Sequence, residues 1–214
     1  MPSAKQNAFL NAAYQVLRLV FPIITYPYVS RVIGPVGIGK VAFAQRIAEY
    51  FGLTALLGIP MYGLREVSRV RDDANELSQV YSELLILSSA TGLVAAVVYA
   101  LLPLLLPRLS SEPQLHWVFF LLIVAAPGRL DWFYQGLEKY RYVTARSLLV
   151  RLATAIMTFV IIRTAQDYVN YGILWVAGSV VSGIWNVSYS LKLTKLTLKN
   201  LRLLRHLRQV LPSV

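Results

Sequence analysis

Residues 8–30 read AFLNAAYQVLRLVFPIITYPYVS, and residues 41–61 read VAFAQRIAEYFGLTALLGIPM. Each block is close to the ~20 apolar residues that cross a bilayer as a helix. Each also carries charge: Arg18 in the first, Arg46 and Glu49 in the second. A charge near the bilayer centre costs roughly 2.5–3.5 kcal/mol on insertion scales, so these three point to a polar interior that faces something charged.

Apolar blocks of the same kind continue along the chain. The 214 residues are 57% hydrophobic and 14% charged, with mean hydropathy +0.56. A soluble domain carries about 25% charged residues, so the class is polytopic membrane protein. Six spans are expected, over 8–30, 41–61, 79–102, 116–135, 147–165 and 171–191. The N-terminus lacks a cleavable leader pattern, and its first apolar block reads as a retained span. The absence of cysteine excludes disulfides and thiolate metal sites.

Charge sets the expected orientation. With the N-terminus inside, and with Arg151 and Arg163 near the ends of the fifth span counted with the adjoining loops, fourteen of the 21 Lys and Arg fall on the cytoplasmic side and four on the outer side, with Arg18, Arg46 and Arg129 left inside spans. That excess favours both termini in the cytoplasm. The net charge of +11 then reads as topology and contact with anionic membrane lipid, not nucleic acid. Over 190–211, Leu193, Leu196, Leu203, Leu207 and Val210 recur on one helical face and Lys192, Lys195, Lys199, Arg202, His206 and Gln209 on another. A basic amphipathic helix on the cytoplasmic membrane surface is expected there, or a partner-binding helix.

Asn7, Asn11, Gln15 and Arg18 follow spacings of four, four and three, which aligns them on one face of the first span. Gln45, Arg46 and Glu49 lie within one turn of the second, where Arg46 and Glu49 are spaced to pair. A lone ion pair must offset its own desolvation, which favours a water-filled cavity over a dry helix contact. A carboxylate in such a cavity can also bind a proton or a sodium ion. Ser147, Arg151, Thr154 and Thr158 share a face of the fifth span, and Trp175, Ser179, Ser182, Asn186 and Tyr189 one of the sixth. Helix packing and cavity lining both fit them. Gly34, Gly37 and Gly39 read as turn glycines in an outer loop, and Asp72 and Asp73 as a solvated face. His116 and His206 are far apart, and no metalloprotease, phosphate-loop or nucleophile motif occurs, so no enzyme, metal site or cofactor is expected.

Three strings carry a resemblance: PIITYPYVSRVIGPVGIG at 22–39, GIPMYGLRE at 58–66 followed by VSRVRDD, and DWFYQGLEKYR at 131–141. In this order and at these span ends, the chain resembles the N-terminal half of Wzx-type polysaccharide flippases, of the multidrug and oligosaccharidyl-lipid exporter superfamily. The resemblance implies an all-α membrane lobe over 1–191 and a linker or surface helix over 192–214. It implies transport of undecaprenyl-diphosphate-linked oligosaccharide between the leaflets of a bacterial inner membrane, with polysaccharide polymerase and assembly proteins as neighbours. Arg18 and Arg46 become candidates for diphosphate or sugar-acid contact, because the guanidinium fork binds two oxygens. Asn11, Gln15 and Gln45 are candidates for sugar hydroxyls, and Glu49 for cation coupling. Family chains are about twice as long, so a second lobe or a partner subunit is expected. A drug-antiporter lobe of the same superfamily and a non-transporting scaffold of a polysaccharide assembly complex remain as alternatives.

Overall fold

A computed structural model describes residues 4–198 and 201–210, with side chains from residue 19 onward and at Ala12, Gln15 and Val16, save Arg108, Leu204 and Arg208. The described residues are helical almost throughout. In chain order the helices are α1 (Ala4–Leu56), α2 (Ile59–Val70), α3 (Ala74–Leu101), α4 (Pro107–Ser110), α5 (Pro113–Val124), α6 (Asp131–Gly136), α7 (Tyr140–Ile161), α8 (Tyr168–Leu193) and α9 (Leu203–Val210).

Three stretches are long and apolar enough to cross a membrane: Leu19–Val70, Ala74–Leu104 and Tyr140–Ile161. A fourth forms if Pro113–Val124 and Ala126–Gly136, bent by 45°, are taken as one. The first is 52 residues long, which at 1.5 Å per residue far exceeds a single ~30 Å crossing.

The expected loop over Gly34–Gly39 is absent, because helix resumes at once. Only Gly34 leaves helical geometry, at φ 76° and ψ 171°, and it divides α1 into two arms. Pro35 bars its predecessor from helical geometry, and glycine adopts positive φ without Cβ strain. Gly37 stays helical and lets Tyr168 approach to 3.2 Å from where its Cβ would lie. The second span also ends sooner than expected. Gly58, at φ 74°, separates α1 from α2. Asp73 is more than a solvated face, since its Oδ1 accepts from the amides of Asn75 and Glu76 and caps α3.

The core lies in two main clusters. One joins the second arm of α1 to α3, α5 and α8 through Ala48, Ala55, Ala96, Tyr99, Phe119 and Val176. The other gathers α2, α3, α6 and α7 around Tyr81, Leu84, Trp132 and Phe133. A smaller contact seats Val29 and Ile33 of the first arm on Ile162, at the end of α7. Leu93, Val94, Val97 and Leu101 form an exposed apolar stripe on α3, as a lipid-facing helix requires.

The basic stretch after α8 is not one continuous helix. Helix stops at Leu193 and restarts at Leu203. His206, assigned to the polar face by spacing, is buried with Val210.

Candidate functional site

The second arm of α1 holds Gln45, Arg46 and Glu49 within about one turn. Gln45 Nε2 donates to Glu49 Oε1 at 2.8 Å, and Arg46 Nη1 donates to Oε2 at 3.0 Å. The expected local pair therefore forms, with both carboxylate oxygens engaged. The Arg46 side chain is 73% exposed and that of Glu49 is 26% exposed. An open (i, i+3) pair contributes well under about 1 kcal/mol. Its value is positional, since it holds a charge pair at the face of a helix that is otherwise apolar.

One turn further along, Gly52 is buried under a third charged group, Arg129. The Arg129 Nη2 and Nη1 atoms lie 3.7 and 3.9 Å from where a Gly52 Cβ would stand. Arg129 is half-buried and sits in the fields of Glu49 and Asp131. Among the described residues no hydrogen bond or ion pair holds its guanidinium. Sequence reasoning had left Arg129 inside a span without a role; the signal was the charge itself.

Arg129 is aimed by the break in the fourth hydrophobic block. Pro127 cannot donate to the ladder, so the helix ends in a 3-10 turn over Ala126–Gly128 before α6 begins. Glycine on both sides brings this turn against α8, where a Cβ on Gly128 would meet Gly183 Cα at 2.9 Å. The freed carbonyl of Gly128 accepts from Asn186 Nδ2 at 3.0 Å.

Asn186 belongs to a buried knot. Its Oδ1 accepts from Arg146 Nη1, while Arg146 Nη2 donates to Asp131 Oδ1 at 2.8 Å and to Ser147 Oγ at 3.1 Å. Tyr134 donates to the Asn186 carbonyl. Arg146 was counted among the cytoplasmic loop charges, but it lies inside α7 and is only 4% exposed. It pins the broken block to α7 and α8, leaving Arg129 as the uncommitted cation of the break.

The resemblance strings meet in space. A Cβ on Gly63 would fall 2.5 Å from the Trp132 ring, and one on Gly136 would fall 2.7 Å from Val67. Arg71 pairs with Glu138 at 2.5 Å. GIPMYGLRE and DWFYQGLEKYR thus form one glycine-lined contact of α2 on α6, and Trp132 and Glu138 have structural places in it.

The side chains of Asn11 and Arg18 lie outside the described residues, so the first-span stripe is represented by Gln15, which is exposed. On the later helices, Thr154, Thr158 and Ser182 donate to carbonyls of their own helices, and Thr154 Oγ1 lies 3.0 Å from the Cβ position of Gly178. That is a packing arrangement between α7 and α8.

Two further polar clusters lie near the two ends of α3. At one end Lys40 Nζ meets Glu112 Oε1 at 2.5 Å, and Tyr168 donates to Oε2 at 3.0 Å. The Lys40 hydrogen bond holds the Glu112 carboxyl below its ordinary pKa, against the opposing effect of burial and with help from Tyr168. A shallow groove between α5 and α8 opens beside it and includes none of Arg46, Glu49 and Arg129. At the other end Glu83, 2% exposed, accepts from His206 Nε2 at 2.5 Å, from Gln79 at 3.2 Å and from the Arg202 amide at 2.6 Å. His206 Nδ1 in turn meets the Tyr62 hydroxyl at 2.7 Å.

The profile of a family described as "Polysaccharide biosynthesis protein" matches residues 4–211. The chain is 23% identical over 182 residues to a "Putative O-antigen transporter" of Escherichia coli K12, covering 85% of this chain and 44% of that protein. It is 25% identical over 186 residues to a protein of the same description from Shigella dysenteriae, covering 86% and 46%. The chain thus spans just under half the length of these relatives. No solved structure matches it. With a family profile matched almost end to end, the resemblance carried by the three strings holds, and the chain belongs to the polysaccharide biosynthesis protein family.

Proposed function

We propose that this chain is the N-terminal lobe of a flippase that moves undecaprenyl-diphosphate-linked oligosaccharide from the cytoplasmic to the periplasmic leaflet of a bacterial inner membrane. The observation that carries the reading is Arg129: a half-buried guanidinium that no hydrogen bond or ion pair holds among the described residues, set across Gly52 from the Arg46–Glu49 pair. A diphosphate and its sugars do not cross hydrocarbon unshielded. One arginine on α1 and one in the break between α5 and α6 suit a diphosphate, each fork engaging two oxygens. Gln45 and the first-span polar face, with Asn11, Gln15 and Arg18, then serve the sugar hydroxyls and acidic groups.

Glu49 gives the site a means of coupling. Its carboxylate is occupied by Gln45 and Arg46. A proton or sodium ion on Glu49 weakens its hold on Arg46 and frees that guanidinium for the anion. The two arms of α1, then α3, the bent α5–α6 pair, α7 and α8 supply six crossings, with both termini cytoplasmic as the loop charges favour. The second wall of the cavity belongs to a second lobe, consistent with the greater length of the relatives.

The test is reconstitution of the intact protein, with its second lobe, into vesicles carrying a fluorescent lipid-linked oligosaccharide. Arg46→Gln and Arg129→Gln are expected to lower the flipping rate at least tenfold at equal membrane level. Wild-type rates in both would overturn the reading. Efflux of a cationic dye without any lipid-linked sugar would point instead to the drug-antiporter alternative.

A further inference from the structure

The mechanism above leaves the buried imidazole of His116 unused. His116, in the first turn of α5, is 1% exposed, and Tyr99, near the end of α3, is fully buried. Their rings stack at 4.6 Å and 9°. Among the described residues, both imidazole nitrogens and the Tyr99 hydroxyl lack a hydrogen-bond partner. Phe51 lies edge-on to Tyr99 at 5.6 Å, and Trp117 edge-on to His116 at 5.3 Å.

A neutral imidazole carries one donor and one acceptor, and the phenol adds a donor. Each such group left unmet in a dry interior loses its hydrogen bonds to water without replacement, which destabilises the closed packing. Phenylalanine at either position would pack the same space without that cost. Imidazole is also the side chain whose charge changes near neutral pH. A pair this unfavourable when closed gains its value from a second arrangement in which the ring reaches water.

The groups around the pair suit that role. From α1, Val41, Ala44 and Phe51 belong to the same apolar cluster as Tyr99, with Lys40 adjacent in sequence; from α8, Tyr168, Tyr171 and Trp175 belong to it too. On its own helix Glu112 lies one turn before His116, engaged by Lys40 and Tyr168. In the proposed topology this is the outer end of the lobe.

We propose that the His116–Tyr99 pair is a proton-binding site that loads when the outer ends of α3 and α5 part and empties when they close. The imidazole takes a proton from water on the outer side and becomes imidazolium. The closed apolar contact cannot hold that charge, so closure requires the proton to leave. Protonation therefore favours the open arrangement. The site is separate from Glu49 and gives the conformational cycle its own dependence on outer pH. Its role in a transport cycle rests on the flippase reading; proton binding does not.

Trp117 supplies the probe, because a protonated imidazole quenches a neighbouring indole. The intact protein in vesicles is titrated from pH 8 to pH 5 while tryptophan emission is followed. A reversible fall with a midpoint in the imidazole range is expected in the wild type and in His206→Gln, and is absent in His116→Phe. His116→Gln keeps a polar group of similar size, and its curve is flat as well if the site is correct. Identical curves with and without His116, or no titration in the wild type, would overturn the proposal. In flipping assays the two His116 variants are expected to lose the dependence of rate on outer pH, which for a single proton reaches about tenfold per pH unit. A His116 variant that keeps the wild-type slope would also overturn it. The emission titration needs no lipid-linked sugar, so a protein that titrates but flips nothing removes the transport reading and leaves the proton site standing.

Discussion

The guanidinium of Arg129 lies over Gly52, with Nη2 3.7 Å from the position a Cβ would take. The gap is wide enough for a methyl group in ordinary contact and too narrow for a branched side chain. Under the proposed flippase function, Gly52→Ala in the intact protein is therefore expected to flip substrate at close to the wild-type rate. Gly52→Val pushes Arg129 away from the Arg46–Glu49 pair and is expected to lower the rate about tenfold or more, with normal membrane insertion. Equal rates for Val and Ala would show that the position of Arg129 does not matter.

The contact between α2 and α6 has no such room. A Cβ on Gly63 meets the Trp132 ring at 2.5 Å, and Trp132 is held by the surrounding core. Gly63→Ala is expected to destabilise the fold by about 1–3 kcal/mol, the usual range for overpacking. The double variant Gly63→Ala, Trp132→Leu relieves the overlap and should recover part of the loss in a thermal unfolding experiment.

Arg146 and Asp131 form a pair that is costly to break from one side. Arg146→Met removes the guanidinium that pairs with Asp131, and the expected loss is about 3 kcal/mol, the low end for a buried pair, because the Asp131 side chain is 34% exposed. Removing both charges should cost less than removing Arg146 alone. A double-mutant cycle on unfolding free energy reads the difference, and additive losses would mean the two are not coupled.

Glu83 and His206 clip the segment after α8 onto α3 and α2. Glu83→Gln weakens the acceptor for both His206 and the Arg202 amide. Faster trypsin cleavage at Lys195 and Arg202 is expected, with the rest of the chain resistant. Unchanged cleavage would mean that the Ser82 and Ser78 contacts to Thr197 and Thr194 hold the segment by themselves.

The helical class was legible because long apolar blocks leave few alternatives, and the Arg46–Glu49 pair was legible because it depends only on spacing along one helix. What escaped depends on partners distant in sequence. Gly34 reads equally well as a loop glycine or a kink until the helix on its far side is seen to resume. Pro127–Gly128 announces a break, yet only the approach of Gly183 and Asn186 shows what the break is packed against. Arg146 looks like a loop charge by position, and its burial follows from Asp131 and Asn186, 15 and 40 residues away. Glu83 sits in a span four residues past Gln79 and gives no sign in sequence that the C-terminal segment folds back to reach it.

Acid should loosen the end of the lobe held by Lys40, Glu112 and Tyr168. The Lys40 hydrogen bond lowers the folded-state pKa of Glu112 below its value in the unfolded chain. The unfolded state therefore binds this proton more readily than the folded state. The contribution of the contact is fully present above the ordinary carboxylate range and is lost as pH falls through the lowered folded value. The sign is that of a salt bridge broken by acid. Thermal stability of the wild type is expected to fall on acidification from pH 6 toward pH 3 by more than that of Glu112→Gln. The variant begins less stable because the amide cannot match the charged acceptor, and its curve over the same window is flatter. Because Glu112 is partly exposed, added salt should narrow the gap between the two proteins at pH 6. Parallel pH curves for the two would mean that the Lys40–Glu112 contact contributes nothing to the stability of this end.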